Sequence, residues 1–188
     1  MKLLTKWALL GVAATMSLGA TSARAQVGLT SSLATVQINA TKSSVLTVAV
    51  NSGGTQTLAS LTDNAANPFA GPVNVTTTWD LNAGTSVVLV GSFATPAQAL
   101  ASGGNFITSA FVKGRMTTGT PTSFTAFTAA GVGTVGTAGG SLTLFTQSAA
   151  GLAGNRTDNL DLEVDLTGHA NLVPGTYSGT LNLQAIVQ

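Results

Sequence analysis

The sequence predicts an all-β fold: an antiparallel, immunoglobulin-like β-sandwich of about eight to nine strands in one domain, behind a cleaved export signal. Three observations carry this expectation. The chain is rich in Thr and Val, contains 22 glycines but 5 prolines, and has only 7% charged residues, so it can build few solvated helix faces. Short segments alternate apolar and polar residues with a period of two. Gly, Asn, Pro and Ser clusters punctuate those segments at turn spacing.

The N-terminus reads as a signal peptide over residues 1–25. Lys2 and Lys6 precede an uncharged, mostly apolar stretch over residues 7–18, and Ala23-Arg24-Ala25 places small residues before a cut at Gln26. The expected mature chain, 26–188, is a single domain that is exported to the periplasm, the cell surface or the medium. No later segment offers the roughly 18 apolar residues of a spanning helix, so no membrane span is expected after cleavage. Maturation leaves four basic residues, Lys42, Lys113, Arg115 and Arg156, against six acidic ones, a formal net charge of −2. That balance, with no basic cluster beyond Lys113 and Arg115, excludes nucleic acid as a partner. Cysteine is absent, which removes disulfides and thiolate chemistry and leaves stability to the core.

Residues 27–40 read as a first strand whose apolar phase shifts. Val27, Leu29 and Leu33 occupy odd positions and Ala34, Val36, Ile38 and Ala40 even ones, which calls for a bulge near Leu33. Residues 44–50 form a second run closed by Asn51-Ser52-Gly53-Gly54. Val73, Val75, Thr77, Trp79 and Leu81 alternate, and Asn82-Ala83-Gly84 looks like a hairpin turn into residues 85–93. Residues 95–105 fit a short helix begun by Thr95-Pro96 or a loop. Strand character returns over 106–116 and briefly over 124–128. The Gly-rich stretch 129–140 reads as a mobile, linker-like loop without the spacing of a phosphate cradle. Strands follow over 141–148 and 159–166, and Pro174-Gly175 introduces a last strand, 181–187.

Chemistry-bearing residues are few. Asp161, Glu163 and Asp165 share one strand face and suggest calcium, with Asn155 and Asp158 in a preceding turn. Successive carboxylates sit about 7 Å apart, however, so a solvated outer face that discourages edge pairing is the plainer reading. His169, the single histidine, lies in a turn without acid or serine at a recognisable spacing. No catalytic motif is present, and neither an enzyme nor a cofactor is expected. Trp79 and Tyr177 suit a sugar platform in principle, but their phase assigns them to the core, Tyr177 as an aromatic corner. An outer-membrane barrel would require aromatic girdles that this composition lacks.

The signal peptide, the early strand QVGLTSSLATVQINA, the WDLNAGTS segment and the closing PGTYSGTLNLQAIVQ together resemble the exported β-sandwich subunits of the spore coat protein U and chaperone-usher pilin group. The specific match covers about the last fifteen residues. The resemblance implies a structural fibre, pilus or coat subunit that self-associates, or binds a periplasmic chaperone, through edge strands. Residues 26–40 would then be the donor segment, with Val27, Leu29, Leu33, Val36 and Ile38 as its side chains. Residues 181–187, with Leu181, Leu183 and Val187, would be the acceptor edge. Pairing of both strands within one monomer is the competing expectation. A secreted carbohydrate- or ligand-binding module is the alternative function.

Overall fold

A computed structural model describes residues 32–81, 86–149, 153–169 and 171–188. The chain divides into two units, residues 1–40 and 41–188. The expected signal peptide, residues 1–25, lies outside the described residues, as do Val27 and Leu29. In the first unit, residues 32–40 form no strand, contrary to the expectation for 27–40. A strand makes no hydrogen bonds within itself, and no partner strand is paired with this segment among the described residues.

The second unit is all-β with antiparallel sheets. Its strands are β1 (Val45–Ser52), β2 (Ala66–Pro68), β3 (Val73–Asp80), β4 (Ser86–Ser92), β5 (Leu100–Ser102), β6 (Asn105–Ile107), β7 (Val112–Met116), β8 (Thr125–Ala126), β9 (Ser141–Ser148), β10 (Ala153–Asp165) and β11 (Asn182–Val187). One sheet runs β1-β3-β10-β7-β8, with β2 also on β10; a second runs β11-β4-β9; β5 and β6 form a separate hairpin. Among the described residues neither of the two larger sheets closes on itself, and no helix is long and apolar enough to cross a membrane.

The core lies between these two sheets. Val73, Val75 and Trp79 of β3 and Leu160 and Leu162 of β10 meet Val87 and Leu89 of β4 and Leu142, Leu144 and Phe145 of β9. Each fully buried Val, Leu or Phe contributes about 1.5–3 kcal/mol of transfer free energy. Phe127, wholly buried, meets Phe93 edge to face with ring centroids 5.3 Å apart. Two strand glycines make room for it: a Cβ on Gly91 would lie 2.9 Å, and one on Gly114 3.1 Å, from its ring. A register shift between Leu89 and Val90 lets Leu144 and its neighbour Phe145 both reach the core.

Several expectations need correction. β3 and β4 do not form a hairpin; they lie in different sheets, because both apolar faces needed a partner layer, and their connection, 82–85, lies outside the described residues. The stretch 95–105 contains one 3₁₀ turn, Pro96–Gln98, in which Thr95 makes no side-chain cap, and then the β5–β6 hairpin. The stretch 129–140 is not a free linker. Val132 and Val135 exchange backbone hydrogen bonds of 2.8 and 2.9 Å, and Val135 packs with Val88, Val90 and Ile186 on the outer face of the β11-β4-β9 sheet. That cover explains why β4 is buried on both faces. Asn155 and Asp158 belong to β10, which is 13 residues long, rather than to a turn before it.

Candidate strand-pairing interface

β11 pairs with β4 from Asn182 opposite Ser92 to Val187 opposite Val87, without a register shift. Gln188 and Ser86 exchange both backbone hydrogen bonds, at 2.7 and 2.9 Å. In an antiparallel ladder such doubly bonded pairs recur at every second residue, so Ile186, Gln184 and Asn182 direct their amides and carbonyls at β4. Leu183, Ala185 and Val187 direct theirs the other way. Among the described residues no strand pairs with that outer side.

The same three side chains turn toward the main core, where they are only partly buried. On the facing sheet β1 is also terminal, paired with β3 alone among the described residues, and its Leu46 and Val48 are likewise partly buried against that core. β1 and β11 approach one another on this side of the sandwich. Two terminal strands with half-covered apolar rows therefore flank the core here. Leu181 packs against the same core just before β11. The sequence reading named Leu181, Leu183 and Val187 and missed Ala185, Leu46 and Val48. The alternation of Leu46, Val48 and Val50 was the available signal for the β1 wall.

The donor candidates belong to the first unit, residues 1–40. Leu33, Val36 and Ile38 are 89%, 84% and 86% exposed, values far above those usual for large apolar side chains in a packed fold. Val27 and Leu29 lie outside the described residues.

The acidic row is not the solvated, edge-guarding face expected from its pattern. β10 is flanked by β3 and β2 on one side and β7 on the other, and β7 brings cations into register: Arg115 stands opposite Asp161 and Lys113 opposite Glu163. Arg115 Nε donates to Asp161 at 3.0 Å, Lys113 Nζ donates to Asp165, and Glu163 is only 7% exposed. The hydrogen bond from Lys113, with further ones from Thr167, pulls the Asp165 carboxyl down to about 2. Burial pushes Glu163 up, against the opposing pull of Lys113. No three potential metal ligands come together among the described residues, so the calcium candidates Asp161, Glu163 and Asp165 are not gathered into a site.

The remaining candidates are packed against their neighbours. Trp79 is 5% exposed within the core, and the Tyr177 hydroxyl donates to the Val173 carbonyl at 2.9 Å, an aromatic-corner geometry. The His169 ring meets Phe111 edge to face at 4.5 Å, so it is a packed side chain and not a freely exposed one. In comparisons with protein-family models, curated proteins and solved structures, nothing matched this chain.

Proposed function

We propose that this protein is an exported, non-enzymatic structural subunit of a fibre, pilus or coat that assembles by adding a β-strand to the outer side of β11. The observation that carries the reading is the coincidence on Leu183, Ala185 and Val187 of outward-directed backbone groups and half-buried, core-directed side chains. An incoming strand there would form ladder hydrogen bonds and complete apolar burial in one step. The complement is residues 26–40 of a second copy, or a strand of a periplasmic chaperone in its place. Ala34, Val36, Ile38 and Ala40 recur with the period of two that such an edge reads, and Val36 and Ile38 are exposed. The resemblance of PGTYSGTLNLQAIVQ to the ending of exported pilin-like subunits supports the same role.

Light scattering on size-fractionated protein tests this reading. The exported chain forms concentration-dependent multimers, and deletion of residues 26–40 abolishes them. Ala185→Pro removes one outward N–H while leaving the β4 ladder intact, and it also abolishes them. Multimers that persist in the deletion variant refute the donor segment.

A further inference from the structure

We draw no further inference here: the strongest candidate, the uncharged surface patch that Asn51, Asn74, Thr76, Thr157 and Asn159 form across β1, β3 and β10, is tied together by its own side-chain hydrogen bonds, and nothing in the structure shows what covers it.

Discussion

Arg156 and Asp158, two residues apart on β10, both face the interior of the sandwich and pair with each other, Arg156 Nε lying 2.6 Å and Nη2 2.8 Å from the two Asp158 carboxylate oxygens. They occupy the apolar phase set by Leu160 and Leu162. The pair is closed in by the Phe145 ring, whose centre is 4.7 Å from the guanidinium, by Gln147, and by the Thr118 hydroxyl, which donates to Asp158. Arg156 also donates to the Thr118 carbonyl, so the pair fastens the segment after β7 to the sheet.

Removing one member leaves the other charge stranded. Arg156→Met is expected to destabilise the fold by about 3–5 kcal/mol, and the double variant Arg156→Met with Asp158→Leu to recover most of that loss. Urea denaturation of both variants measures it; equal losses in the two would contradict the ion-pair account.

Thr77 stands opposite Arg156 on β3, 1% exposed, and its hydroxyl has no partner among the described residues. Thr77→Val keeps the shape and β-branching but removes the unsatisfied group. A gain of about 1 kcal/mol is expected from the same denaturation experiment. A loss would reveal a partner for the hydroxyl.

Gly179 follows the Tyr177 corner. A Cβ there would lie 1.9 Å from the Ala99 carbonyl oxygen, and the backbone cannot retreat because Ser178 and Ala101 exchange hydrogen bonds of 2.8 and 3.0 Å. Gly179→Ala is expected to cost about 3 kcal/mol and to lower the thermal midpoint. An unchanged midpoint would mean that this corner is not held.

Asp165 and Glu163 give opposite pH signatures. The folded ionisation of Asp165 lies at about 2, below its ordinary 3.8, so its contribution is present above about 4 and lost as the pH falls toward 2. That of Glu163 is raised above 4.5, so its contribution is complete below 4.5 and lost as the pH rises through the raised value. At pH 7, Glu163→Gln is therefore expected to be more stable than the parent and Asp165→Asn less stable. The Glu163→Gln gain shrinks by pH 4, and the Asp165→Asn deficit, still nearly full there, shrinks as the pH falls from about 4 to 2. Thermal melts at the three pH values check both signs.

The all-β class and most long strands were legible because each buried row kept one phase. Leu160, Leu162, Val164 and Leu166 announced β10, and Leu142 and Leu144 announced β9. What failed was anything set by layer rather than by period. The turn residues between β3 and β4 suggested a hairpin, yet alternation is the same whether the next strand pairs alongside or crosses to the facing sheet. Phe145 entered the core through a bulge that no periodic pattern encodes. The acidic row looked solvent-facing because Lys113 and Arg115 lie some fifty residues away, and only register brings them opposite. At the proposed interface Leu183 and Val187 were legible from alternation, whereas the direction of their amides required the Ser86–Gln188 pairing.

That pairing also determines what kind of information the β11 edge can read. Its amides and carbonyls accept the backbone of any extended chain, while Leu183, Ala185 and Val187 accept side chains only at every second position. A segment displaced by one residue keeps all its hydrogen bonds but turns its polar row inward. In the proposed assembly, selection at this edge would therefore rest on the spacing of apolar groups along the incoming chain, and two segments of unrelated sequence but equal spacing would compete for it on nearly equal terms.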